Sequence, residues 1–441
     1  MKNLKTFPKG GVHPRDYKEL TNKVPIRNAI VPSEAVIPLQ QHIGAPAKSL
    51  VQSGDKVSEG MLIGEASGFV SANVHSSIPG TVKGIEKVYL PTGMKSDAVV
   101  VELEGEFERS GKELERRDWR GKSPSELLEK VKEMGIVGMG GATFPTHVKY
   151  TIKKGSKVEF FVVNGVECEP YLTADHRIML ERTDDILEGV EIVRKILNPE
   201  VVLIGIEANK PDAISLMEDR IEAKKLDIHV VPLKLKYPQG DEKQLLKALT
   251  GREVPSGGLP LDIGAVVSNV GTVLSIFEAV VFDKPLIERV VTVTGDAIAK
   301  PGNLKVRVGT RIGDLIEDAG GFVKMPLKII AGGPMMGFAQ VDLNSPITKG
   351  TSGIIALSKE RVKIPRETPC IHCGRCIRVC PMGLSPTRLY KWIDHMYIDE
   401  ALSEGLMDCK ECGSCAYVCP AGIPLVQGMK LGKYLAKSKK V

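Results

Sequence analysis

No part of this 441-residue chain is apolar for the roughly 18 consecutive residues that a membrane-spanning helix needs. The best candidate, 265–282, is interrupted by Asn269, Gly271 and Glu278, so a membrane role has to run through partners or peripheral contact. No sign of charge dominates either. The net charge is +6 with acids and bases interspersed, which argues against a nucleic-acid binder. Both ends are lysine-rich, MKNLKTFPKGG and YLAKSKKV; solvated lysines account for this, with contact to anionic lipid or an acidic partner as the alternative. The start of the chain carries no signal-peptide pattern. Cysteine is nearly absent before residue 370, where only Cys168 occurs, and this excludes a disulfide framework spread over the fold. The length is enough for roughly three domains of ordinary size.

What is present is concentrated. Cys370, Cys373, Cys376 and Cys380 precede Pro381, and Cys409, Cys412, Cys415 and Cys419 precede Pro420. The spacing C-x2-C-x2-C-x3-C-P written twice is the bacterial ferredoxin run, in which each fourth cysteine ligates the other copy's cluster. Three thiolates of such a tight loop wrap one face of an iron-sulfur cube. Two 4Fe-4S clusters follow, one on Cys370, Cys373, Cys376 and Cys419, the other on Cys409, Cys412, Cys415 and Cys380. Structural zinc also uses CxxC pairs, but without the third cysteine, the x3-C and the proline. Cys168 has no base beside it in sequence and reads as a buried thiol, not a nucleophile.

Four textures succeed one another along the chain after an N-terminal extension, 1–29. Residues 30–110 read as short strands with turns at Gly54-Asp55, Gly60 and Pro79-Gly80. This stretch resembles the biotinyl/lipoyl barrel-sandwich domain, down to a GD-x-V-x-x-G phrase. That family carries a modifiable lysine on the hairpin between its halves. Between Gly68 and Ser76 there is no lysine, so the resemblance implies the fold without a swinging arm, in a structural or docking role.

Residues 115–282 alternate strands and helices: EFFVVNG, VVLIGIE and DIHVVPLK are strands, and ADHRIMLERTDDILEGVEIVRKIL and KPDAISLMEDRIEAKK are helical. Alternation of this kind predicts a Rossmann-like parallel sheet with ligands at the strand C-terminal ends. The loops richest in polar groups and glycine lie there: Gly138 to Thr146 with Lys149, Asn164 to Pro170, and Tyr237 to Glu242. Glycines let a backbone approach a phosphate and aim its N–H groups at it, and Lys149 adds a cation.

Together, GxGGAxFPT with its lysine, NxxExEP, YxxGxE and the run from Val267 to Thr272 resemble the flavoprotein subunit of respiratory complex I, whose corresponding loops enclose FMN and NADH. Over essentially the full chain, including GGVHP, the sequence is similar to the C subunits of Rnf ion-translocating electron-transport complexes. The resemblance implies that Gly138, Gly140, Gly141 and Lys149 hold FMN phosphate and ribityl groups. It implies that Asn164, Glu167, Asn269 and Thr272 contact the flavin. Glu169 and Glu242 would meet flavin or nicotinamide ribose hydroxyls, with Phe144, Tyr237 and Gly240 of the same loops at the NADH cleft. Met139, Thr143 and Val166 depart from the complex I pattern, where arginine, glycine and aspartate stand. Phe144 stands where covalent flavin attachment needs Ser or Thr, so FMN is expected to be non-covalent. His147 reads as a packed or solvated histidine.

Residues 283–345 look like the β-grasp SLBB module that follows the flavin domain in complex I, here a spacer. The last unit, 360–435, has helix-like spacing of Leu389, Trp392, Ile393, Met396 and Ile398 between its cysteine motifs, which predicts a helical double-cluster ferredoxin domain. The fold class expected is therefore multidomain α/β. The activity implied is an NADH-dependent oxidoreductase subunit of a translocase, peripheral on the cytoplasmic face of the cell membrane, passing electrons between NADH, FMN and two 4Fe-4S clusters toward or from ferredoxin. Its partners would be membrane-embedded and flavin-bearing subunits and a ferredoxin or other iron-sulfur subunit. A soluble cobalamin reductase with the same domain order is the alternative.

Overall fold

The computed structural model describes residues 4–153 and 155–438; residues 1–3 and 439–441 of the lysine-rich ends, and Lys154, lie outside the described residues. The first β unit is two small sheets face to face. One holds Glu34–Pro38, Lys95–Leu103, Gly80–Tyr89 and Lys56–Val57, the other Lys48–Ser49, Leu62–Glu65 and Val74–His75. Alternating apolar residues fill the space between them, including Ala35, Ile37, Ile63, Val74, Val99 and Val101. The lysine-free hairpin carries an exposed Phe69 instead.

The second unit is a four-stranded sheet in the order His229–Leu233, Val201–Glu207, Phe160–Gly165, Ala265–Asn269, parallel at every pairing. Its inner strands Phe160–Gly165, Val201–Glu207 and Ala265–Asn269 are mostly apolar, with little polar alternation, because helices cover both faces. The helix expected through 174–197 is two, Ala174–Glu181 and Thr183–Leu197. Arg182 leaves helical geometry at φ −132° and ψ 32° between them, and its guanidinium turns to Asp185 and Glu278. The apolar run 265–282 is divided between a strand and the helix Val270–Phe282, and no helix among the described residues is long and apolar enough to cross a membrane.

The third unit is a six-stranded mixed sheet that reaches outside the span 283–345. Its strand Gly353–Ser358 lies between Glu288–Thr294 and Pro326–Ala331, and Arg27–Asn28 of the N-terminal segment adds an edge beside Gly302–Arg307. The C-terminal unit is helical, with Pro386–Asp394, Ile398–Ser403 and Leu425–Ser438 packed through Leu389, Ile393, Ile398, Leu406 and Met429. Met396, part of the expected apolar stripe, is exposed because it sits at φ 62° in the turn between two of these helices.

An N-terminal strap ties the second unit to the last. Lys5 pairs with Leu233, and Val12 and Tyr237 exchange backbone hydrogen bonds of 2.8 Å in each direction. Next along the strap, Gly11 N–H donates to the Val379 carbonyl at 2.8 Å. Gly10, at φ +63°, lies so close to Cys380 that a Cβ would fall 2.6 Å from its carbonyl, so only glycine fits there.

Candidate functional site

The glycine loop closes on itself through Gly138 N–H to the Phe144 carbonyl, 2.8 Å. Between those anchors Gly140, Gly141 and Ala142 are exposed, and among the described residues no acceptor takes their N–H groups. A Cβ on Gly140 would lie 2.9 Å from that of Asn269, so the loop rests directly on the end of the strand Ala265–Asn269. Thr272 Oγ1 accepts the Met139 N–H at 2.9 Å and fixes the loop from below. Lys149 Nζ donates to Glu242 Oε1 at 2.6 Å and to the Val267 carbonyl at 2.7 Å, half-exposed beside the same strand. Exposed backbone donors, two asparagines and one lysine around a side-chain-free loop suit a phosphorylated flavin. Asn164 and Asn269 brace that end of the sheet: Asn164 Nδ2 donates to the Gly240 carbonyl at 3.0 Å, and Asn269 Oδ1 accepts Gly271 N–H at 2.8 Å as a helix cap.

The two glutamates of the NxxExEP loop are engaged differently from the expectation that they face flavin and ribose. Glu167 accepts the N–H groups of Asp175 and His176, at 2.7 and 3.3 Å, at the start of the helix Ala174–Glu181. Glu169 accepts from Met335 N at 3.0 Å and Met336 N at 2.9 Å, and its Oε1 lies 3.4 Å from Tyr237 Oη. Both carboxylates thus hold backbone. Tyr237, expected at an NADH cleft, is buried, and its hydroxyl donates to the Cys412 carbonyl at 2.7 Å. Cys168 lies beside it, partly buried where a buried thiol was expected, with Sγ accepting from Gly240 N at 3.3 Å, and desolvation pushes its pKa up. His147 is partly buried, which lowers its pKa. Phe144 is half-buried in the glycine loop.

Three groups that sequence reading did not find hold these loops. Lys18 Nζ, from the strap, donates to the carbonyls of Glu167 at 3.0 Å, Glu169 at 3.1 Å and Leu172. Lys210 Nζ donates to the Val166 carbonyl at 2.7 Å and faces Glu207 Oε2 at 3.3 Å, fully buried. Asp175, whose pKa burial raises to about 6, accepts from Asn269 Nδ2 at 2.6 Å. Lone polar residues far apart in sequence give no motif, so only the folded chain reveals them.

Burial also pushes the Glu169 pKa to about 7 from an ordinary 4.5. The native state therefore holds a proton that the unfolded chain has lost between those values, and stability falls as pH rises from about 4.5 to about 7, by roughly 3 kcal/mol in all. Glu169→Gln is expected to lose a hydrogen bond at every pH but to remove most of that slope. Urea unfolding midpoints across pH 4.5 to 8 check this; an unchanged slope assigns it to other groups.

In the C-terminal unit Cys380, Cys409, Cys412 and Cys415 line one cavity with Pro381, Leu384 and Met429. Backbone N–H groups approach the sulfurs, Glu411 N to Cys409 Sγ, Leu384 N to Cys380 Sγ and His372 N to Cys370 Sγ, each at 3.4 Å. Cys376 packs with Ala421, Ile423 and Leu425, and Cys370, Cys415 and Cys419 lie against the same cluster. Among the described residues no three ligand side chains converge as a single metal ion would require, whereas four thiols around one cavity match a cube that spaces its ligands more widely. Burial raises the thiols of Cys409 and Cys415, to about 11 and about 12, so ligation is coupled to proton release.

Fold and donor sets define a multidomain electron-transfer protein built for a flavin and two iron-sulfur clusters. The family profile of the Nuo51 FMN-binding domain matches residues 131–278, the RnfC barrel sandwich hybrid domain 5–106, the SLBB domain 290–339 and the 4Fe-4S dicluster domain 369–423. Among relatives, the C subunit of the proton-translocating ferredoxin:NAD(+) oxidoreductase complex of Clostridium ljungdahlii is 51% identical, over 88% of this chain and 84% of that protein. The Na(+)-translocating counterpart of Acetobacterium woodii is 43% identical, over 91% and 90%. The chain belongs to this RnfC family, the C subunits of ion-translocating ferredoxin:NAD(+) oxidoreductase complexes. A crystal structure of an NAD+-reducing [NiFe]-hydrogenase shares the fold, with a TM-score of 0.52 and 17% identity over 70% of this chain and 63% of that one.

Proposed function

We propose that this chain is the NADH-side electron-entry component of a membrane ion-translocating oxidoreductase. It lies peripherally on the cytoplasmic face and passes electrons between NADH and ferredoxin in company with membrane-embedded and flavin-bearing subunits. Bound FMN would supply exchange between hydride pairs and single electrons, and the two 4Fe-4S clusters would carry those electrons one at a time.

The chain's own residues bind and orient. The N–H groups of Gly140 and Gly141, with Gly138 setting the turn and Lys149 adding charge, are proposed to hold FMN phosphate and ribityl oxygens. Asn164, Asn269 and Thr272 shape the flavin pocket, Glu242 and Phe144 border the nicotinamide nucleotide, and Gly240 keeps its loop free of a side chain there. Glu167, Glu169 and Tyr237 are proposed to position these loops. The observation that carries the reading is the Tyr237 bond to Cys412: the loop after the strand His229–Leu233 meets a cluster cysteine directly, without intervening protein.

The test is anaerobic reconstitution with iron, sulfide and FMN, followed by NADH while flavin and cluster absorbance are recorded together. Bleaching of both is expected. Clusters that form beside a flavin that neither binds nor bleaches would sink the proposal. Gly141→Asp, which has open space around its Cβ position, is expected to fold and keep its iron while losing FMN, because a carboxylate would face the phosphate; flavin retained after gel filtration would contradict this placement.

A further inference from the structure

The glycine loop has a stem, and the stem is held from outside the parallel-sheet unit. Val137 and Pro145 bridge its two arms, and Thr146 N–H donates to the Ile136 carbonyl at 3.1 Å. The stem begins where the helix Pro124–Glu133 stops. Gly135, at φ +62°, ends that helix in left-handed geometry, with Ile136 N–H returning to the Val131 carbonyl at 3.2 Å. The Gly135 carbonyl then accepts from Lys349 Nζ at 2.7 Å.

Lys349 is buried and comes from the segment between the strands Phe338–Ala339 and Gly353–Ser358 of the third unit. Its Nζ also donates to the Asn73 carbonyl of the barrel-sandwich unit at 2.7 Å, and its own N–H donates to Gln41 Oε1 of that unit at 2.9 Å. Asn73 in turn reaches the helix end, Nδ2 donating to the Glu133 carbonyl at 3.1 Å. One side chain thus joins three units at the root of the loop. The site lies at the negative end of the helix dipole, which suits a cation. Burial lowers the Lys349 pKa to about 7, and an amine of either charge has two hydrogens for these two carbonyls. Gly350 makes a second contact. A Cβ there would fall 2.6 Å from Thr143 Cγ2, on the returning arm of the loop. Two consecutive residues therefore touch both arms, one before Gly138 and one after Gly141.

We propose that Lys349 is a positioning residue for FMN: with Gly350 it fixes both arms of the glycine loop, and the barrel-sandwich unit, which lacks a swinging-arm lysine, is the rigid brace against which they are set. The inference rests on the reading of that loop as the FMN site. The amine is committed to carbonyls of the stem, so its part is to place the exposed N–H groups of Gly140 and Gly141, not to touch the ligand. Donors of this kind have to be held within about 0.5 Å of the geometry that the ligand requires.

The test uses the full chain reconstituted with iron and sulfide, and FMN as the probe. Kd is read from the quenching of FMN fluorescence, and stability from urea midpoints. Lys349→Met is expected to weaken FMN binding by roughly tenfold or more with iron content retained. Lys284→Met is the comparison. That lysine pairs with Glu278 and Glu288 just past the far end of the helix Val270–Phe282, and its loss is expected to lower the urea midpoint without changing Kd. Gly350→Ala probes the second contact without deleting a buried amine, and it decides the matter if Lys349→Met does not fold. Its methyl would press on Thr143 and is expected to weaken FMN binding by roughly threefold or more. Adding Thr143→Gly removes the obstructing side chain at a left-handed position, φ +51°, and is expected to restore the parent Kd. An unchanged Kd in Lys349→Met, an equal loss in Lys284→Met, or a Gly350→Ala defect that Thr143→Gly fails to relieve would each overturn the proposal. A parent chain that binds no FMN would instead overturn the flavin-site reading, and the brace with it.

Discussion

Replacing Cys380 with alanine is expected to remove the cluster held with Cys409, Cys412 and Cys415 while sparing the one nearest its own motif. Cys380 is the fourth cysteine of the first run, and by sequence proximity its loss should affect Cys370, Cys373 and Cys376. In the structure it lines the cavity of the second run instead. Iron should fall from about eight to about four atoms per chain, and magnetic coupling between the two reduced clusters should vanish from the EPR spectrum. Cys419→Ala should give the same iron loss with the complementary spectrum. Because the Cys380 set faces Tyr237, C380A should also lose reduction of the remaining cluster by NADH, whereas C419A should keep reduction of the inner one. A C380A protein whose remaining cluster is still reduced by NADH, beside a C419A protein whose remaining cluster is not, would contradict crossed ligation.

Lys210→Met is expected to destabilise the protein by about 3–5 kcal/mol, the cost of breaking a buried ion pair on one side. Lys210 and Glu207 are both buried, and the ammonium also supports the Val166 carbonyl. Burial already raises the Glu207 pKa, so without its partner the carboxyl takes up a proton more readily. The deficit should therefore be smallest at acid pH and grow toward neutrality. Adding Glu207→Leu should recover much of the loss. Urea unfolding at pH 5 and pH 8 reads both effects; a deficit independent of pH would mean that the lost bond to Val166, not the stranded charge, dominates.

How much of this was legible in the sequence follows from the range of each interaction. The cysteine spacing is local and periodic, and it pointed to the clusters. Strand and helix patterns in 115–282 were equally direct, because a parallel strand buried on both faces reads as a short, mostly apolar run. The helix break at Arg182 was not, since it depends on a salt bridge to Glu278 nearly a hundred residues on. Motif resemblance located Glu167, Glu169 and Tyr237 but not what they hold. A carboxylate that caps a helix and one that meets a ribose look alike in a motif. Lys18 lay outside any motif, its acceptors about 150 residues away. The extent of the third unit was hidden for a related reason: its strand Gly353–Ser358 lies beyond the span expected from the local pattern, in the middle of the sheet.

The strap sets an order on assembly. Residues 5–12 leave the ribosome long before Val379 and Cys380, yet Gly10 and Gly11 find their contacts only there. Until then the Val12 segment can pair with the Tyr237 loop on one side and has nothing on the other. Such an edge, wholly unpaired until Tyr237 is made and half-paired after it, is exposed to other nascent chains for most of synthesis. Closing it over Cys380 before metal arrives would also cover a thiol that the metal must reach. Productive biogenesis is thus served by delivering iron and sulfide to the C-terminal unit before the strap settles, and a cell short of cluster-building capacity should accumulate this chain with its strap undocked and open to proteolysis.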